Sequence, residues 1–188
     1  VAAALSCDTN AGLLLINLAL TDYLVRETPS EGGRIYQFHP LLSEFLRSRA
    51  ARDLPEAVAP AWLRRAAALL ARAGQTEDAI ALLVEAGDWD EVARIAVAEA
   101  DALFAQGRSA TLAGWLDLLP PALAGADPRL LRVSAAARVH SSPRLARRLY
   151  ERAFEGFRTR DDRAGMIASA SGVIDAVILE FDDVTPLD

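Results

Sequence analysis

Apolar residues along most of the chain recur every three or four positions, which is the spacing of one helix face. Helices are predicted from this spacing over 61–74, 76–87, 88–107, 109–119, 128–139, 143–158 and 161–180. A glycine is the last residue of three of these segments, and the pair Pro120-Pro121 stops another, as expected at helix ends. No strand pattern is present after residue 54. The sequence therefore predicts an all-α fold for this part of the chain.

The first quarter of the chain has a different pattern. A helix to about residue 20 is followed by a predicted strand at 22–27, turn residues at 28–33 and a second strand at 34–38. A further helix begins at Pro40. Helix, hairpin and helix together are typical of the second half of a winged-helix module, although a plain hairpin packed on helices gives the same pattern. We expect a partial winged-helix-like module over 1–52 and helical repeats over 53–188.

The helical part repeats itself at a constant shift along the chain, the distance from Gly74 to Gly107. The segments "QTEDAIALL" (75–83), "RSATLAGWL" (108–116) and "SSPRLARRL" (141–149) align at this shift. The aligned apolar positions are Ala79, Leu112 and Leu145, and Leu83, Leu116 and Leu149. Two helices per unit at this shift are typical of a tetratricopeptide-like array, an α-α superhelix in which stacked units bury their apolar faces.

Charge and composition narrow the classes of partner. The net charge is −6 and the chain has no lysine, which argues against direct binding to nucleic acid or to an anionic membrane. No uninterrupted apolar run approaches the roughly 18 to 20 residues of a membrane span. Cys7 is the only cysteine, so it has no partner for an internal disulfide. A cytoplasmic protein without a membrane partner is the expectation.

The candidate chemistry is sparse. The chain has no glycine-rich phosphate loop followed by lysine, and its two histidines, His39 and His140, lie far apart in the sequence. We therefore predict no catalytic residues and no metal site. The strongest charged cluster is Arg144, Arg147, Arg148 and Arg152, at i, i+3, i+4 and i+8 of one predicted helix. It is read either as a solvated face or as a surface that binds a partner or ligand.

Two segments in combination carry a family resemblance. "YQFHPLLSEFLRSRA" (36–50) together with "AAALLARAGQTEDAIALLVEAGDWDEVARIA" (66–96) resembles the middle region of the large ATP-dependent LuxR-type, MalT-like transcription activators, which belong to a wider class of signalling ATPases. Such proteins have a nucleotide-binding module, a winged helix, a helical-repeat sensor and a C-terminal helix-turn-helix that binds DNA. The phosphate loop and the DNA-reading element of this family are not among these residues.

The resemblance implies a role for His39 and a function for the repeats. In the signalling ATPases a winged-helix histidine at such a helix start senses bound ADP, so His39 is expected to face nucleotide phosphates in a parent protein; a structural helix start is the alternative. This segment itself would hold no cofactor. The repeats would bind an inducer or a regulatory protein, with self-association also open, and DNA would be bound only by a C-terminal domain. A free-standing protein-binding scaffold is the rival function.

Overall fold

The computed structural model describes residues 10–21, 24–30, 33–53 and 58–182. Within these ranges it confirms a helical fold with one β-hairpin. In chain order the elements are α1 Ala11–Thr21, β1 Val25–Ser30, β2 Gly33–Phe38, α2 Pro40–Asp53, α3 Val58–Arg72, α4 Thr76–Glu85, α5 Trp89–Ala105, α6 Ser109–Asp117, α7 Pro121–Ala126, α8 Pro128–Arg138, α9 Pro143–Thr159 and α10 Arg163–Asp182.

The residues group into two compact units, Val1–Gly87 and Asp88–Asp188. The first unit contains the hairpin and α1 to α4, and the second contains α5 to α10. This grouping is based on which residues contact each other. The boundary predicted after residue 52 is of another kind, because it separates a winged-helix-like module from helical repeats. That division stays a prediction.

The hairpin strands extend further into the predicted turn than the sequence suggests, and Leu24, predicted as part of the first strand, is a turn residue. Residues 22 and 23 of the predicted strand lie outside the described residues. β1 and β2 pair antiparallel, from Val25 opposite Phe38 to Ser30 opposite Gly33. The turn predicted over 28–33 is therefore wrong at residues 28–30 and 33, which belong to the strands. Pro29 is tolerated because each strand of a two-stranded sheet has a free edge, where a missing N–H costs no ladder bond.

Two helices end in the same way, which explains part of the repeat. Gly74 and Gly107 both have positive φ, near +76° and +70°, which glycine adopts at little cost. The residue after each glycine donates its N–H to a carbonyl five residues back: Gln75 to Leu70 at 2.9 Å and Arg108 to Leu103 at 2.8 Å. This is the Schellman motif. It reverses the chain so that α4 can pack against α3, and α6 against α5.

In the second unit, α8 is the helix with the most neighbours. It contacts α5, α6, α7, α9 and α10, and α9 packs against α10. On α9 the buried residues recur at helical spacing and form one stripe: Ala146, Tyr150, Ala153 and Phe157. This stripe, with Ala135 and Leu131 of α8, forms the apolar core around α9.

The register of the sequence repeat slips by one residue in its third copy. In the first two copies the aligned positions are buried as predicted: Ala79 and Leu112 are fully buried, and Leu83 and Leu116 are also in the core. The aligned Leu145 is instead 38% exposed. Gln75 and Arg108 are the N-caps of α4 and α6. The same shift along the chain predicts the N-cap of α9 at position 141, but in the structure it is the next residue, Ser142. Ala146 and Tyr150 therefore occupy the buried positions predicted for residues 145 and 149.

The short helix α7 was not predicted. Pro120 and Pro121 suggest only a stop for the preceding helix, but Pro121 also begins Pro121–Ala126, with Pro120 as the N-cap. Proline is well suited to the first helical position, because its φ is already helical and its missing N–H would have no helical partner there. As a result α7 forms a wall beside α8 that the sequence pattern did not indicate.

The last helix presents two contrasting faces. Toward α9 it has the small residues Gly165, Ser169, Gly172 and Ala176, and added side chains at its two glycines would meet the rings of Phe157 and Tyr150. Burial of this interface raises the pKa of Tyr150; the charge of Arg132 opposes this rise, and that of Asp175 adds to it. Ser169 is fully buried, and its Oγ has no hydrogen-bond partner among the described residues.

The outer face of α10 is apolar and exposed, with Ile167, Ile174, Ile178 and Phe181 each more than half exposed. Residues Arg163–Phe181 are long and apolar enough to cross a membrane by length and composition alone. No membrane-span candidate was predicted from the sequence, because only uninterrupted apolar runs were considered. This helix is apolar on average, but serine, glycine and an aspartate interrupt its apolar residues. One helix of this kind is weak evidence, since core helices of soluble proteins pass the same test.

Candidate functional site: an arginine-lined groove and a histidine cap

The four arginines predicted as one stripe on α9 are divided by the fold. Arg147 lies toward α10, where its Nε is 3.3 Å from Oε1 of Glu180 and 3.9 Å from Oε1 of Glu151. Nε of Arg147 and Oε1 of Glu180 are both buried, and their distance is that of an ion pair although the angles are not those of a hydrogen bond. Arg147 is therefore occupied within the protein.

Arg148 and Arg152 line an open groove on another side of α9. The groove has a volume of about 490 Å³, and its opposite wall is formed by Gly125 and Ala126 of α7 with Pro128 of α8. Within the part of the chain that the structure describes, neither arginine has an ion-pair or hydrogen-bond partner. The two side chains are one helical turn apart, so both guanidinium groups are available on the same surface.

Most other charges around this groove have an ion-pair partner. Glu155 is paired with Arg158, and Oε1 of Glu151 lies 3.9 Å from Nε of Arg147, which is the outer limit of an ion pair. Arg160 donates to Asp127 at 3.2 Å and to the carbonyl of Ala126 at 3.1 Å. The last two bonds join the end of α9 to the corner between α7 and α8, so they hold one end of the groove in place.

A smaller apolar cavity of about 230 Å³ adjoins the groove. Gly125, Leu131 and Arg152 line both spaces. Gly125 has a specific part in this arrangement, because a Cβ there would lie 3.1 Å from Nη2 of Arg152. The absence of a side chain at this position lets the guanidinium group lie against α7. Together the two spaces combine an apolar interior with two cationic groups, which is a common composition for small-molecule sites.

Arg144, the fourth member of the predicted cluster, is exposed and does not line the groove. It has no bonded partner in the described residues. The predicted cluster therefore separates into one paired arginine, two that face the groove and one on the open surface. A role for any of them in binding a partner or ligand stays a prediction. The facing wall was missed because α7 was not predicted.

In the first unit, His39 lies between β2 and α2 and caps the helix. Its backbone N–H donates to the carbonyl of Leu24 at 2.6 Å, and its Nδ1 accepts the N–H of Leu41 at 3.3 Å. A side-chain acceptor at this position satisfies one of the N–H groups left free in the first helical turn. In the neutral ring, Nε2 then carries the proton and remains available as a donor. The structure thus gives His39 a structural contact, and nucleotide sensing stays a prediction.

Residues 1–58 match the family model described as the MalT winged helix domain. This match contains the helix, the hairpin, His39 and α2, which are the elements that the sequence assigned to a winged-helix part. It supports a MalT-like regulator region. No curated protein and no solved structure matches the chain.

The MalT-like match covers somewhat less than a third of the chain and ends where α3 begins. The groove on α9 lies outside it. Among the described residues, no group of three or more His, Cys, Asp or Glu side chains is placed to hold a metal ion. The acidic residues near the start of α5 have local partners: Asp88 caps the N–H of Glu91 at 3.4 Å, and the hydrogen bonds from Arg94 lower the pKa of Glu91.

Proposed function

We propose that this chain is the sensor and coupling region of a LuxR-type, MalT-like, ATP-dependent transcription regulator. The observation that carries the proposal is the MalT winged-helix match at 1–58, followed along the chain by the helices α3 to α10. In this arrangement the winged-helix part adjoins a nucleotide-binding module, and the helices, as tetratricopeptide-like repeats, bind an inducer or a regulatory protein. The region itself is not an enzyme and acts in the cytoplasm.

The coupling follows from linkage between two sites. An inducer that binds the repeats more tightly in one conformation shifts the protein toward that conformation by its difference in affinity. ADP bound beside the winged helix would favour the closed, inactive state. His39 suits a contact to ADP, since a helix start concentrates free N–H groups and a positive dipole, and Nε2 of the capping histidine adds a donor.

The proposal places DNA binding outside these residues, which gives a direct test. The 188-residue chain should not bind a random DNA duplex at low-micromolar concentration, because its net charge of −6 repels phosphates. The natural protein that contains this chain should bind the same duplex, with an affinity that falls steeply as salt increases. Fluorescence anisotropy at two salt concentrations measures both.

Two results of this experiment would contradict the proposal. A natural protein with no measurable affinity for DNA would favour the protein-binding scaffold. Salt-sensitive binding by the 188-residue chain alone would instead make its winged-helix part a DNA reader and not a coupling element.

A further inference from the structure

We infer that the groove between α7, α8 and α9 is a binding site for a small organic anion, with Arg148 and Arg152 holding its carboxylate or phosphate group. The inference rests on the proposed function in one respect: such a ligand would be the inducer. It names a chemical class and a place for that ligand, both of which the proposed function leaves open.

The pairing of charges in the groove favours an anion. Two arginines and two carboxylates line it. Glu155 is paired with Arg158, and Oε1 of Glu151 lies 3.9 Å from Nε of Arg147, and neither Arg147 nor Arg158 lines the groove. Arg148 and Arg152 remain as charges without a partner in the described residues. Two guanidinium groups one turn apart offer several N–H donors to a single anionic group, and charge-assisted bonds of this kind are stronger than neutral ones.

The shape of the site selects a ligand with an apolar body. The groove of about 490 Å³ falls within the usual range for small-molecule sites. Behind Arg152, the adjoining cavity of about 230 Å³ is lined largely by leucines. An organic acid or phosphate ester with an aromatic or aliphatic group could place its anion at the arginines and its apolar part against Leu131.

The walls of the site are fixed in position by contacts that do not depend on a ligand. Arg160 ties α9 to the corner between α7 and α8, and a Cβ at Gly156 would lie 2.9 Å from the ring of Pro128, so α8 and α9 are in close contact there. Little of the binding energy is then needed to form the groove, which favours affinity for a small ligand.

Phenyl phosphate is a suitable probe, because it joins a dianion to one aromatic ring, and benzyl alcohol is a neutral comparison of similar size. Phenyl phosphate should bind the 188-residue chain with a dissociation constant of about 1 mM or tighter, and benzyl alcohol much more weakly. Nuclear magnetic resonance titration measures both affinities, and the amide shifts should change around Gly125 and Arg152.

The variants Arg148→Gln and Arg152→Gln should each weaken phenyl phosphate at least about tenfold, because each removes charged hydrogen bonds. Arg144→Gln is the matched control: it makes the same change in charge on the same helix, at an exposed position away from the groove, and should leave the affinity unchanged.

Three results would overturn the inference: no saturable binding of phenyl phosphate up to about 10 mM, equal binding of benzyl alcohol, or equal losses for Arg144→Gln and Arg148→Gln. These outcomes are separate from those of the proposed function. The DNA affinity of the natural protein does not depend on this groove, so either claim can fail while the other stands.

Discussion

Leu112→Ala is expected to lower the free energy of unfolding by about 2 to 5 kcal/mol, whereas Leu145→Ala should change it by only about 0.5 kcal/mol. The two leucines occupy aligned positions of the sequence repeat. Leu112 is fully buried in α6, and its truncation leaves a cavity; Leu145 is 38% exposed on α9. Urea denaturation of the 188-residue chain, followed by circular dichroism and tryptophan fluorescence, measures both values.

The comparison of Leu112→Ala with Leu145→Ala tests the one-residue slip of register in the third copy of the sequence repeat. If the sequence register were followed throughout, Leu145 would lie between stacked helices, and both substitutions would have a similar cost. Equal destabilisation would therefore contradict the packing described for α9. Leu116→Ala, at a second core position in α6, should cost a similar amount to Leu112→Ala.

Gly172→Ala is expected to destabilise the protein by about 1 to 3 kcal/mol through overpacking. Gly172 lies in the middle of α10, directly against the ring of Tyr150, and a Cβ there would overlap the ring atoms. Either the ring or the helix must move. Gly114→Ala is the control: beyond the adjacent residues and the backbone of α6 itself, no atom of the described residues lies within 4 Å of a Cβ at this position, so alanine should stabilise the helix by up to about 1 kcal/mol.

A double-mutant cycle locates the cause of this effect. Tyr150→Leu removes the ring that the new methyl group would meet, so Gly172→Ala should cost less in that background than in the natural sequence. The same unfolding experiment measures the four proteins. Stabilisation by Gly172→Ala similar to that by Gly114→Ala would show that α9 and α10 do not approach each other as closely as the structure indicates.

The sequence predicted the helical fold well because its strongest signals are local. Gly74 and Gly107 mark helix ends that need a positive φ, and the structure has a Schellman motif at each. Between α8 and α9 no residue adopts a positive φ, and the turn uses one residue more. The alignment of the repeats at a fixed shift did not reveal this extra residue. Leucines at 145 and 149 match the apolar positions of the earlier repeats even though the helix begins one residue later.

The groove could not be predicted in full, because it depends on contacts between distant parts of the chain. Helical spacing placed the arginines together on α9, but the partner of Arg147, Glu180, lies near the end of the next helix and is brought close only by the packing of α10. The facing wall is α7, whose first residue was read as a helix stop. Because proline favours the first position of a helix, Pro121 was the residue from which α7 could have been predicted.

The central claim, that this chain couples a nucleotide site to a helical sensor, is tested most directly by calorimetric titration of ADP. The natural protein that contains the chain should bind ADP saturably, and the 188-residue chain should not. His39→Asp should weaken ADP at least about tenfold in the natural protein, because an ionised carboxylate has no donor for a phosphate and adds a like charge beside it. Aspartate keeps a side-chain acceptor for the helix cap, so the fold should be preserved. A natural protein that binds no ADP would contradict the account.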